Sequence, residues 1–397
     1  MTMRDLRWPI VVLLIAAVVL RSELFFAMLY LLLLLQLLTW FWQRRIARRL
    51  QWRRVVPPAA FPGETVPVRL EIINPSLLPL PWLAIDESVP VGLRTPPQVR
   101  EVVTLDAVET RTIHYELTPR RRGYYPVGPL FLETGDVLGL TTHRLGGLMP
   151  TMLTVYPRVV PLAPPGLPAA LPFGTLAASQ RLFTDPARPV GVRAYQAGDD
   201  LRQIDWKSSA RLGSPQVRRS APAIALETLL VVAFDRAAYP GRLALETRER
   251  VLVAAASLVA QLAALRQPVG LWSNGIDPLL AAPPRIPPGN GRSHLLLVLG
   301  ALGRLEAVDG PESAELLTQA AQTLSWGGTL VLLTGACDAA SLASLVTARR
   351  RGIHPAALVA DAPTAALIQL RRQQVRAYTI DRDGRPGSVG ADSAINA

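Results

Sequence analysis

Residues 193–211 read RAYQAGDDLRQIDWKSSAR and crowd chemistry-bearing groups into nineteen positions. Three carboxylates (Asp199, Asp200, Asp205) stand among four cations (Arg193, Arg202, Lys207, Arg211), with Tyr195, Gly198 and Trp206 between them. Of the 42 lysine and arginine residues in the chain, Lys207 is the sole lysine. Three kinds of chemistry are open to such a set. A pair of carboxylates can act as general acid and general base, which would make the chain a hydrolase. Asp199 and Asp200 are adjacent, however, so their side chains diverge, and the neighbouring arginines hold both ionised. Alternatively, the compact ammonium of Lys207 fits where a planar guanidinium does not. With its stem on Trp206 and its charge among Asp199, Asp200 and Asp205, it would complete an ion-pair network that fastens the segment to the domain behind it. The same mixture of charge and aromatic rings also suits a docking surface for a partner protein.

Other candidate groups are poorer. His114, His143, His294 and His354 lie far apart and have no ligand spacing. Cys337 is the single cysteine, which excludes an internal disulfide and a multi-cysteine metal site and fits a reducing compartment. No Gly-x-Ser-x-Gly elbow is present. The string PGNGRS at 288–293 precedes a helical pattern but lacks phosphate-loop spacing, so it reads as a turn.

The elements that position these groups change character along the chain. Residues 55–160 contain short runs such as Val66–Ile73, Trp82–Ile85, Val102–Leu105, Arg111–Leu117, Tyr124–Val127 and Leu153–Tyr156, separated by Pro and Gly, which predicts a β-sandwich. PLAPPGLPAALP near 161–172 reads as a semi-rigid linker, and 173–222 as a polar, irregular segment. From Leu226 onward, apolar runs alternate with helical spacing. Leu229–Phe234 is continuously apolar, as in a strand buried on both faces, and Val251, Ala255, Leu258, Leu262 and Leu265 fall on one helical face. Strands then helices in alternation predict a mostly parallel sheet with helices on both sides, and the tail after Asp381 reads as disordered.

The first 54 residues belong to a different solvent. Trp8–Leu20 is an unbroken apolar run, and Leu24–Trp42 is a second, interrupted only by Gln36 and Thr39. Only the second reaches the roughly 20 residues that cross a bilayer; with the first it predicts a two-helix hairpin. QRRIARRLQWRR at 43–54 supplies six arginines of the net charge of +12, and such flanks stay on the cytoplasmic side. Some of these arginines are expected to touch anionic lipid. The remaining basic clusters, Arg120–Arg122 and Arg349–Arg351, have no interleaved aromatics, so nucleic acid is not an expected partner.

The string VRAYQAGDDLRQIDWKSSARLG at 192–213 resembles the signature of the domain-of-unknown-function 58 proteins of bacteria and archaea. It carries an Arg and an aromatic (Arg193, Tyr195), then Gly198-Asp199-Asp200, Arg202, Ile204-Asp205-Trp206-Lys207 and Ala210-Arg211. RRGYYPVGPLFLETGDVLGL at 121–140 and the paired N-terminal apolar segments resemble the family too. The resemblance implies a membrane-anchored protein of the inner membrane whose C-terminal half is a von Willebrand factor A-like, Rossmann-like domain. It also implies partnership with a MoxR-type AAA+ ATPase and with client proteins, and no enzymatic activity. Domains of that kind often hold Mg²⁺ on an Asp-x-Ser-x-Ser loop. The matching stretch is Asp235-Arg236-Ala237-Ala238-Tyr239, which keeps the Asp, fills both serine positions with Ala237 and Tyr239 and adds a cation, so no cofactor is expected.

The expected organisation is therefore multidomain: a membrane anchor at 1–54, a β-sandwich at 55–160, a linker with the signature at 161–222, the α/β domain at 223–381, and a disordered tail at 382–397. The expected function is a scaffold that binds proteins, with a hydrolase using the aspartates of 199–205 as the alternative.

Overall fold

Two helices apolar on every face open the chain: α1 (Arg7–Leu20) and α2 (Glu23–Ala47), which lie against one another. An all-round apolar helix belongs in a core or a membrane. By length and composition α2 is able to cross a bilayer, whereas the 14 residues of α1 fall short. The computed structural model describes residues 7–20, 23–93, 98–135, 142–162, 184–196, 204–222, 227–310, 312–361 and 364–387. It divides into two units, Met1–Tyr156 and Pro157–Ala397.

The first unit is β-rich. Its strands are β1 (Gln51–Val55), β2 (Ala59–Ala60), β3 (Val66–Asn74), β4 (Leu80–Ser88), β5 (Gln98–Leu105), β6 (Glu109–Leu117), β7 (Gly123–Val127), β8 (Leu130–Gly135), β9 (Thr142–Leu148) and β10 (Thr151–Val155). They form three sheets, ordered β1-β3-β6, β5-β4-β8-β9 and β2-β10-β7. Alternation fixes the buried face: Val66, Val68, Leu70 and Ile72 point inward along β3 while the residues between them face out or sit half-buried. Leu70 and Ile72 share a core with Leu83, Ile85, Leu130 and Leu132 of the four-stranded sheet, and Ile46 and Leu50 at the end of α2 enter the same core.

One buried charge ties these sheets together. Glu87 of β4 is fully buried and accepts from Arg54 Nη1 of β1 and from the Tyr115 hydroxyl of β6, the latter at 2.6 Å. Arg54 also donates through Nη2 to Met149 O at 2.5 Å and to Thr151 Oγ1 at 2.9 Å. Burial first, and then the charge of Glu87, push the Tyr115 pKa upward, so its hydroxyl remains a donor. Gly128, at φ +102°, leaves the room this requires, because a Cβ there would fall 2.6 Å from Arg54 Nη1. The basic stretch 43–54 accordingly ends inside the fold. Gln51–Val55 is a strand paired with β3, and Arg54 is buried in an ion pair.

In the second unit, 184–196 and 204–222 depart from the irregular segment read in the sequence. β11 (Thr184–Ala194) pairs antiparallel with β12 (Gln216–Pro222), and α3 (Trp206–Leu212) lies on the connection. There follow β13 (Thr228–Val232), α4 (Ala244–Ala264), β14 (Val269–Ser273), β15 (Arg285–Gly289), α5 (Arg292–Arg304), α6 (Ser313–Thr323), β16 (Thr329–Thr334), α7 (Ala339–Arg350), β17 (His354–Val359), α8 (Thr364–Arg372), β18 (Arg376–Ile380) and β19 (Pro386–Gly387). The sheet order is β15-β14-β13-β16-β17-β18-β19, parallel from β14 to β18 and antiparallel at both edges. β13 and β16 are buried at every position, which explains their unbroken apolar runs. β15 and β19 lie where a turn and a tail were expected. Edge strands tolerate proline, and both of these carry it. The expected disorder therefore fails for 382–387; positions 388–397 lie outside the described residues.

Candidate functional site

An open doubly wound sheet offers ligands one preferred crevice, at the carboxyl ends of its strands where the strand order reverses. Here that point lies between β13 and β16, and Asp235 follows β13. Asp235 is nearly buried and its carboxylate is occupied. Oδ1 accepts from Asn274 Nδ2 at 3.0 Å and from Ser313 Oγ at 3.2 Å, and Oδ2 accepts from the Ala238 amide at 3.1 Å. Asn274 in turn accepts from the Phe234 amide at 2.6 Å. The crevice is filled by Tyr239, which is 3% exposed and donates its hydroxyl to Ala233 O at 2.7 Å. Its ring lies against Gly335 after β16, where a Cβ would meet Ala238 O at 2.5 Å and Tyr239 Cδ1 at 2.6 Å. Phe234 packs edge-on to the same ring, and the Arg248 guanidinium sits 5.4 Å from its centre.

This arrangement does not fit a divalent cation. Such an ion needs hard oxygens with free lone pairs, but the two hydroxyl positions of the loop are Ala237 and Tyr239, and Asp235 is already engaged at both oxygens. Asp338 does not approach either. Its carboxylate caps α7, accepting from the Ser341 amide at 3.0 Å. Arg236 turns outward to Asp309, 3.1 Å away. Beside the cap, burial first and then Asp338 push the Cys337 thiol up to about 11.

The signature segment is built the opposite way. Ile204 bridges Val217 of β12, and both side chains are buried, which pins the segment to the hairpin. Asp205 is the N-cap of α3, in extended backbone, and accepts from the Ser208 amide at 3.0 Å. Ser209 Oγ donates to Asp205 O at 2.7 Å and accepts from the Gln216 amide at 2.8 Å. Gly213, left-handed at φ +69°, stops the helix by donating to Ser209 O at 3.0 Å. Tyr195 donates its amide to Pro215 O at 2.9 Å, and Arg193 pairs in register with Val217.

These bonds hold the backbone and leave the side chains of α3 outside. None of its residues is buried; Trp206 is 73% exposed and Leu212 62%, and Lys207 and Arg211 face water one turn apart. The stem of Lys207 is therefore not buried against Trp206, and among the described residues no carboxylate pairs with its ammonium. Asp205 serves the helix end instead. Gly198, Asp199, Asp200 and Arg202 lie outside the described residues. The structure thus brings Arg193, Tyr195, Asp205, Trp206, Lys207 and Arg211 onto one hairpin and leaves Asp235 in the sheet domain. Sequence reasoning missed Tyr239, although a bulky ring at a hydroxyl position was its signal.

Residues 191–327 match the family described as "Protein of unknown function DUF58". The matched stretch begins in β11, contains the signature helix and the Asp235 loop, and ends before β16; residues 121–140 and the N-terminal helices lie outside it. Uncharacterised proteins of Mycobacterium tuberculosis and Mycobacterium bovis are 35% identical over 109 residues, 27% of this chain and 33% of theirs. The chain thus spans about a third of the length of the curated relatives it matches. Among solved structures, a β-glucosidase from Listeria innocua aligns at 17% identity over 27% of this chain and 16% of that one, with a TM-score of 0.18. The CARDB domain of a Pyrococcus furiosus protein aligns at 11% identity over 27% and 86%, with a TM-score of 0.21. At such scores neither likeness bears on fold or activity.

Proposed function

We propose that this chain is a membrane-anchored adaptor that works by binding proteins. In this reading α2 spans the inner membrane, the β-rich unit is a sandwich on the cytoplasmic side, and the sheet domain is von Willebrand factor A-like. The partner is a MoxR-type AAA+ ATPase acting on client proteins. The observation that carries the reading is the exposure of Trp206 on a helix with no buried residue, followed on that helix by exposed Lys207 and Arg211. A helix held by caps at its ends while it presents a bare tryptophan with two cations beside it has the composition of an interface hot spot. Its complement is an apolar pocket rimmed by carboxylates. The plugged crevice at Asp235 supports the same reading, because it leaves the usual small-molecule position of the sheet without room.

The test is capture of the MoxR-type ATPase encoded in the same genome by the full chain in detergent, with and without ATP. Trp206→Ala is expected to weaken capture by roughly 30-fold, the equivalent of a hot spot of about 2 kcal/mol. Its unfolding midpoint should stay within the error expected of a surface change of about 0.5 kcal/mol. Equal capture by Trp206→Ala and wild type would refute the assignment of the surface. Turnover of a hydrolysable substrate by the purified chain, lost on neutralising Asp199 and Asp200, would refute the adaptor reading and favour a hydrolase.

A further inference from the structure

The way α2 enters the first unit carries an inference beyond anchoring. No linker separates the helix from the sheets: α2 ends at Ala47 and β1 begins at Gln51. Ile46 and Leu50, 1% and 6% exposed, lie inside the β-rich core, and Trp42 packs on that core while its Nε1 donates to Pro79 O at 3.1 Å. The apolar part of α2, Leu24–Trp42, is about 28 Å long at 1.5 Å per residue, close to the ~30 Å hydrocarbon thickness of a bilayer. Trp42 therefore stands at the boundary between lipid and water, where tryptophan is favoured. Pro79, in contact with it, stands at the same depth.

Two turns meet there. Fully buried Asn74 joins them, donating to Leu78 O and to Asp106 O at 2.9 Å each and accepting from Ser76 Oγ at 2.6 Å; the Val108 amide donates to Ser76 O at 3.0 Å. The tips of these rigid turns are apolar and bare: Leu77 is 83% exposed and Val108 67%. Val108 also holds φ +56°, a conformation that costs a β-branched residue free energy. At the end of the helix and in the turn after it, Phe41, Arg44, Arg45, Arg48 and Arg49 line an open groove of about 610 Å³. Apolar tips joined to Trp42 through the turn at Pro79, with four guanidinium groups in the seven residues that follow Trp42, match one surface: headgroups of anionic phospholipid above an acyl boundary. Asp106 and Glu109 flank Val108, so the attraction to anionic headgroups falls to the arginine groove and the tips contribute apolar contact.

We propose that the β-rich unit rests on the bilayer instead of hanging below it. Leu77 and Val108 enter the headgroup–acyl boundary, and the arginine groove binds anionic phospholipid. This rests on the reading of α2 as a membrane span, and the test separates the two. The full chain with Cys337→Ser receives one cysteine at Leu31, Leu77, Val108 or Val91, is labelled with a fluorophore, and is placed in nanodiscs of phosphatidylcholine with or without phosphatidylglycerol. Val91 is the control: it is 82% exposed and lies by the Leu117 end of β6, about 27 Å along β3 from Asn74.

Labels at 77 and 108 should be quenched by headgroup nitroxide lipids and shielded several-fold from a water-soluble quencher relative to the label at 91. Phosphatidylglycerol should deepen the effect, and Arg44→Gln with Arg48→Gln should remove that dependence. Labels at 77 and 108 that behave like the one at 91, while the label at 31 is quenched from the acyl chains, would overturn the proposal and leave the span intact. A label at 31 open to water would overturn both. Shielding that follows protein concentration and not lipid would assign the tips to a second copy, and also overturn the proposal.

Discussion

The crest of the sheet at Asp235 and the helix at Trp206 both hold groups that promise chemistry, and the fold treats them in opposite ways. At the crest Asp235 and Tyr239 are spent inward. Asp235 serves Asn274, Ser313 and the Ala238 amide, and Tyr239 occupies the crevice where a ligand would sit. At α3 only small groups are spent, through the Asp205 cap, the Ser209 hydroxyl and the Gly213 stop, and the large side chains remain in water. Burying polar groups with complete hydrogen bonding yields rigidity, whereas capping a helix from its ends yields a rigid surface with bare side chains. A position's place in the topology therefore says where a site is possible; the bonds already made there say whether it is available.

The largest expected effect lies at the crest. Tyr239→Ala removes a buried ring and its hydrogen bond and should cost about 3–5 kcal/mol, seen as a lowered unfolding midpoint. A loss below about 1 kcal/mol would mean that the ring is not packed as described, and the contrast with α3 would weaken.

Thiol chemistry sharpens the contrast next. With its pKa pushed from 9.0 to about 11, Cys337 has its thiolate suppressed roughly 100-fold at neutral pH. The sign is that of a buried acid: the neutral thiol is favoured, and reaction should accelerate only as pH climbs toward 11. Alkylation of Cys337 in the native chain should be at least that much slower than alkylation of a Trp206→Cys variant, measured by mass shift against time. Comparable rates would show that the crest is open.

The smallest effect belongs to the cap. Asp205→Ala should loosen α3 by about 1 kcal/mol, read as faster hydrogen exchange at Ser208 and Gly213, and Asp205→Asn should restore most of it because asparagine caps as well. If Asn behaved like Ala, the carboxylate of Asp205 would have a role beyond the helix end.

Much of the second unit was legible because its physics is local. β13 and β16 are buried on both faces and so read as continuous apolar runs, and α4 shows its helical face through Val251, Ala255 and Leu258. β15 was hidden because an edge strand needs no apolar run and tolerates Pro287 and Pro288. β1 was hidden behind arginines, since the partner that buries Arg54 is Glu87, thirty-three residues away. The signature helix escaped notice because seven residues carry no hydrophobic period, although Asp205 and Gly213 marked its ends. The closing of the crest depends on a ring meeting a glycine nearly a hundred residues on, Tyr239 against Gly335, and no local pattern announces that.

The central claim, that the chain meets its partner through α3 and not through the crest, has a direct measurement. A photo-cross-linking amino acid is placed in turn at Ala210, exposed one turn from Trp206, and at Ala238, in full-length chain in intact cells, and the adducts are sized and sequenced. A protein adduct containing the MoxR-type ATPase is expected from position 210 and none from position 238. An adduct from 238 with none from 210 would contradict it.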